Sequence, residues 1–117
     1  MSSFLFRLAA AFCFLGVGLG AFGAHALKGI LEANQTTEAW KTAVLYHFIH
    51  ALALLLLAAL PVPSRAAANL FVGGIVLFSG SLYLLSLTNV KWLGAITPLG
   101  GLCFLVGWLW LIFRPPW

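Results

Sequence analysis

Residues 69–87 read NLFVGGIVLFSGSLYLLSL, a run without one charged side chain. As a helix, at ~1.5 Å rise per residue, such a run comes close to the ~30 Å thickness of bilayer hydrocarbon. Three further stretches have the same character, at 4–27, 43–60 and 92–113. None alternates with period two, and each exceeds the length of a membrane-spanning strand, so each is expected to be a helix. The fold class that follows is all-α: one integral membrane four-helix bundle over 1–117. Short connections imply antiparallel up-down connectivity. A short polar or amphipathic segment separates the first two helices.

Composition agrees with lipid as the solvent. The chain is 63% hydrophobic and 7% charged, whereas a soluble domain carries about a quarter charged residues. The mean hydropathy is +1.10. Arg7, Lys28, Glu32, Glu38, Lys41, Arg65, Lys91 and Arg114 are the charged residues, and nearly all sit at or outside the ends of the apolar stretches. That is where charge is tolerated when the stretches lie in hydrocarbon. The net charge of +4 is scattered over the flanking segments. Nucleic-acid binding needs a clustered basic patch and is excluded as a reading. Attraction to anionic headgroups explains the basic balance, and the lipid bilayer is the first partner implied.

With four spans, both termini and the second loop share a side. That side holds Arg7, Arg65 and Arg114, and the other holds Lys28, Lys41 and Lys91. The cation count is tied, and an N-in, C-in arrangement is expected. The first stretch resembles a signal peptide, with Arg7 ahead of the apolar run and Ala24-His25-Ala26 in the place of a cleavage site. The run is long for that role, and a retained first helix is expected.

Small residues mark where helices approach closely. Gly16 and Gly20 form a G-x-x-x-G pair, with Gly23 following, and Gly80, Gly100, Gly101 and Gly107 lie in the third and fourth stretches. Such faces predict tight packing within the chain, with a second copy, or with a partner membrane protein. Gly18 to Gly23 also spells G-x-G-x-x-G, but inside an apolar helix rather than at a strand-to-helix turn, so nucleotide binding is rejected. Cys13 and Cys103 are isolated within spans and read as packing residues.

The segment 28–42 reads as a polar loop. Thr36 or Thr37 is expected to cap the second helix, with Glu38 in its first turn and Trp40 anchored at headgroup level. Pro61 to Arg65 forms a turn. At the fourth helix, either Thr97 caps and Pro98 opens a shorter helix, or the helix starts near Trp92 and Pro98 kinks it.

All three histidines fall towards the first-loop side. His47 and His50 are three apart, which puts them on one helical face. Tyr83, Ser86 and Thr97 approach the same side, and Ser79, Tyr83 and Ser86 share a face. The expected polar pocket is therefore His25, Tyr46, His50, Ser79, Tyr83, Ser86 and Thr97, with His47 beside it, in one leaflet. Its favoured role is an interhelical hydrogen-bond network. Imidazole also suits metal, haem iron or proton handling, for which His25, His47 and His50 are the candidates. No catalytic set is found: the serines lack an acidic orienter for a histidine, and H-E-x-x-H is absent. Small multidrug transporters share the size but depend on a carboxylate in the first helix, which this chain lacks.

The ordered motifs are similar to those of domain-of-unknown-function family 423, which includes the transmembrane protein 256-like proteins. They are Gly20-Ala21-Phe22-Gly23-Ala24-His25, then Trp40-x-Thr42-Ala43 with Tyr46 and His50-Ala51-Leu52-Ala53. Leu77-Phe78-Ser79-Gly80-Ser81-Leu82-Tyr83, Thr97-Pro98-x-Gly100-Gly101 and Phe104-x-x-Gly107-Trp108 follow. The resemblance covers nearly the whole chain. It implies a four-helix bacterial inner-membrane protein with mitochondrial relatives in eukaryotes, and no reaction, substrate or cofactor. His25 and His50 fall on motif positions and His47 does not, which favours a pocket built on His25, Tyr46, His50, Ser79 and Tyr83. The function expected is that of a non-enzymatic accessory, assembly or structural component; the alternative is a metal-, haem- or small-ligand-binding or transport protein.

Overall fold

The computed structural model describes residues 2–117, and four of its helices are long and apolar enough to cross a membrane. α1 (Ser3–Ala24) is capped by Ser2, whose hydroxyl accepts from the Leu5 amide. α2 (Lys28–Asn34) is a single short helix, and α3 (Thr37–Ala59) is the second span. The third span, Arg65–Thr88, is α4 (Arg65–Gly74), a π-helical turn (Ile75–Ser79) and α5 (Gly80–Thr88) in one continuous rod. A 3₁₀ turn (Lys91–Ala95) leads into α6 (Thr97–Phe113).

The boundaries follow local chemistry. α3 ends before Pro61-Val62-Pro63, and Ser64 caps α4 by accepting from the Ala67 amide. Gln35 and Asn89 take left-handed conformations beyond α2 and α5, which ends each helix cleanly. Asn89 is among the residues that tolerate that region best. Pro98 lies in the first turn of α6, where its missing N–H costs nothing, so the helix is the shorter of the two expected, but Ile96 rather than Thr97 is its cap residue.

Two sequence expectations change here. The segment 28–42 is not a loop: it holds α2 and the first turn of α3. Thr36 occupies the cap position of α3, but its side chain makes no cap bond. It donates instead to the Ser86 carbonyl at 2.9 Å. Asn34 Nδ2 reaches the same carbonyl at 3.0 Å. The end of α5 leaves orphan carbonyls that need donors within the membrane, and the α2–α3 corner supplies them.

α3 is the centre of the bundle. α1 packs on one side of it, and α4, the π turn and α5 on another; α6 lies against α4 and the π turn. Ala9, Ala51, Leu54, Leu57, Ala67, Ala68, Phe71, Ile75 and Phe104 form the core. The outward faces of α1 and α6 expose Phe4, Phe14, Val17, Leu105, Leu109 and Ile112. An apolar exterior of this extent suits hydrocarbon and would aggregate in water.

Glycine decides the closest approaches. A methyl group at Gly16 would sit 2.7 Å from the Phe48 ring, at Gly23 2.5 Å from Trp40 Cδ1, and at Gly107 2.6 Å from the Phe71 ring. At Gly100 it would meet Phe78 main chain, with Cα at 2.7 Å. Gly74, which the sequence reading did not single out, receives the face of Phe104. Gly20 faces Val44 at 3.4 Å, while Gly80 and Gly101 have ordinary van der Waals room. The G-x-x-x-G face of α1 is thus turned towards α3 of its own chain.

Candidate functional site

The polar side chains do not converge on one pocket in one leaflet. They form separate clusters around α3, and His47 and His50 lie near the middle of that helix. His50 is ~20 Å along α3 at ~1.5 Å per residue, more than halfway through the helix.

His47 faces α1 and α5. One ring nitrogen, Nε2, lies 2.8 Å from the Phe12 carbonyl oxygen, which can only accept, so Nε2 carries the proton. Nδ1 lies 2.8 Å from the Tyr83 hydroxyl and accepts from it. The ring is 2% exposed and meets Phe12 edge-on at 5.9 Å. One imidazole therefore links three helices.

His50 faces α4 and α6. Its Nδ1 donates to the Tyr46 carbonyl one turn earlier at 2.7 Å. Its Nε2 accepts from the Trp108 indole N–H at 2.9 Å. Indole nitrogen is a donor only, so this arrangement specifies the neutral ring protonated at Nδ1. The ring stacks on Phe104 with centroids 3.6 Å apart and planes 12° from parallel. Phe71 meets it edge-on at 5.2 Å. A spacing of three turns His47 and His50 by about 60° around the helix, enough to give them different neighbours.

The remaining predicted residues are distributed as follows. Ser79 is fully buried and donates to the Ala43 carbonyl at 2.8 Å, tying the π turn to α3. Ser86 is buried and its hydroxyl has no partner among the described residues. Thr97 pairs with Ser81 across 2.6 Å, joining α6 to α5 on a side away from Tyr83. Tyr46 is 41% exposed, its ring against Phe78, and its hydroxyl makes no hydrogen bond among the described residues. It lies with His50, Phe78 and Trp108 along an open groove of about 540 Å³ between α3 and α6.

His25 is the clear correction. It is the exposed residue that terminates α1, with no side-chain hydrogen bond among the described residues. α1 turns into α2 at this point, so His25 lies at the membrane edge while His47 and His50 lie near its middle. Trp40 is the second correction. It is not a headgroup anchor but is 3% exposed. Its indole fills the space over Gly23 and donates to the Leu19 carbonyl at 3.0 Å. The aromatic-belt expectation failed because a glycine on the neighbouring helix opened a slot for the ring.

Among the described residues no group of three His, Cys, Asp or Glu side chains could hold a metal ion. A metal ligand needs an imidazole lone pair, and those of His47 and His50 both accept hydrogen bonds. Cys13 and Cys103 are free and partly buried. Sequence reasoning left Trp108, Ser81, Asn34 and the Phe12 carbonyl out of the site. Trp108 and Ser81 stood on motif positions but without an assigned partner, and a carbonyl acceptor carries no side-chain signal.

Comparison with known proteins places this architecture. The family model described as "Protein of unknown function (DUF423)" matches residues 19–101. The chain is 48% identical over 104 residues to the UPF0382 membrane protein YwdK of Bacillus subtilis (strain 168), covering 84% of each chain. It is 44% identical over 113 residues to the UPF0382 membrane protein SH2409 of Staphylococcus haemolyticus, covering 92% of each. No solved structure gives a significant match. With four apolar spans and relatives of this kind, the chain is a multi-pass membrane protein and belongs to the DUF423 family.

Proposed function

We propose that this protein is a non-catalytic component of the bacterial inner membrane, an accessory, assembly or structural element, with both termini on the cytoplasmic side. Its polar residues act as the fastening of the bundle. One observation carries the reading: all four ring nitrogens of His47 and His50 are engaged in hydrogen bonds, and three of the four partners lie on other helices. A ligand site keeps a lone pair or a donor for its ligand, and a proton-handling histidine needs room for its second proton. Charging His50 would set an N–H against the indole N–H of Trp108. The exposed apolar faces of α1 and α6 leave room for partner helices or a second copy.

The test uses the purified protein in detergent with metal analysis, an absorption spectrum and an unfolding titration. His50→Gln and Trp108→Phe should each lower stability by about 1 kcal/mol, the scale of an interhelical hydrogen bond in a membrane. Neither should release a bound species. A stoichiometric metal or a haem band that disappears in His50→Gln, with stability unchanged, would replace this reading with the ligand-binding one.

A further inference from the structure

A cleft opens away from His47 and His50. It has a volume of about 610 Å³ and opens between the C-terminal end of α1, the short α2 and the first turns of α3. Small-molecule sites occupy about 300–1,000 Å³. Gly20 and Ala24, which contribute almost no side chain, line it, and its apolar walls include Val44 and the Trp40 ring seated over Gly23. Its rim carries Lys28, Glu32 and Lys41. The cleft therefore runs from an apolar trough beside two membrane spans to a charged mouth where those spans end.

The rim charges are available. Lys28 and Glu32 stand four apart on α2, yet neither is in an ion pair among the described residues. Lys41 is 3.6 Å from Glu38, and both side chains are largely exposed, at 68% and 88%. Such a surface pair holds its partners weakly. Two cations and one carboxylate at the mouth of an apolar trough match one molecule found at this depth: a phospholipid.

We infer that this cleft binds a glycerophospholipid whose headgroup donates hydrogen bonds, through the phosphate at Lys28 and Lys41, the donor at Glu32 and an acyl chain in the glycine-floored trough. The site stands apart from the histidine network, so the two readings fail independently. Choline headgroups, with no N–H or O–H, are disfavoured at Glu32. An apolar side chain longer than alanine at position 24 occupies the trough.

Native mass spectrometry of the full chain in detergent tests this. Phosphatidylglycerol, phosphatidylethanolamine and phosphatidylcholine with identical chains are added separately, and inorganic phosphate serves as a fourth probe. The glycerol and ethanolamine lipids should be retained in preference to the choline lipid. Lys28→Gln with Lys41→Gln should weaken retention by about fivefold per lysine. Lys91→Gln, an exposed lysine on the same side of the membrane, should change nothing. Ala24→Leu should displace the lipid while leaving both lysines in place. Both variants alter exposed positions, and an unchanged unfolding midpoint verifies their fold. Equal retention of all three lipids, retention unaffected in both variants, or inorganic phosphate binding as tightly as lipid would each overturn the assignment.

Discussion

Replacing Gly100 with alanine is expected to drive α6 off the π turn. The new methyl carbon would lie 2.7 Å from Phe78 Cα and from Phe78 Cβ, and closer still to the Phe78 amide nitrogen. Carbon pairs rest at about 3.5–4.0 Å, so the helices must part by roughly 1 Å. Main-chain atoms block the methyl group, and no rotamer change can relieve the clash. A gap of that size forfeits about a quarter to a half of the dispersion energy across it. The affected contacts include Phe104 over Gly74, Phe71 against Gly107, and the Ser81–Thr97 bond. We expect a loss of about 3 kcal/mol, the upper end for overpacking, or about two decades in the unfolding equilibrium constant. Gly18→Ala is the control, because a methyl group there meets nothing within 4 Å. It should stay within about 0.5 kcal/mol of the parent. The assay is a dodecyl sulfate titration in mixed micelles, followed by circular dichroism. If Gly100→Ala unfolds with Gly18→Ala, then α6 does not pack as described and the reasoning is refuted.

Three further outcomes follow from the same contacts. His47→Leu and Tyr83→Phe should each cost about 1 kcal/mol, and the double variant should cost less than their sum, because the tyrosine hydroxyl is no longer stranded; strict additivity in the titration would argue against the bond. Trp40→Phe should lose the bond to the Leu19 carbonyl at a cost of about 0.5–1.5 kcal/mol, and Gly23→Ala, which evicts the indole, should cost more; the reverse order would exclude the buried placement. Thr36→Val with Asn34→Ala should speed amide exchange through α2 and the end of α5 while leaving α6 protected, as read by hydrogen exchange in detergent.

Much of the architecture was legible in the chain because bilayer hydrocarbon imposes it. A run such as 69–87 has no water to satisfy its backbone, so it must be helical and must span. Prolines at 61 and 63, and Asn89 after Thr88, end spans for reasons that reside in single residues. Glycines at 16, 23, 100 and 107 signalled close approach by their lack of a side chain, and the packing gives each its partner ring or backbone. The site was legible only in its inventory. Ser79, Tyr83, His47 and His50 were recognisable as polar groups in an expensive place, but their grouping was not.

What the sequence determined alone is therefore the solvent, the helices and the list of side chains that need partners, since these depend on local composition and spacing. Only the tertiary structure decided who those partners are. Helix rotation sends His47 to Phe12 and Tyr83, and His50 to Trp108. The slot over Gly23 takes the Trp40 ring into the protein interior. The turn after α1 leaves His25 outside. These choices depend on the azimuth of each helix about its axis, which nonlocal packing sets and hydropathy does not encode.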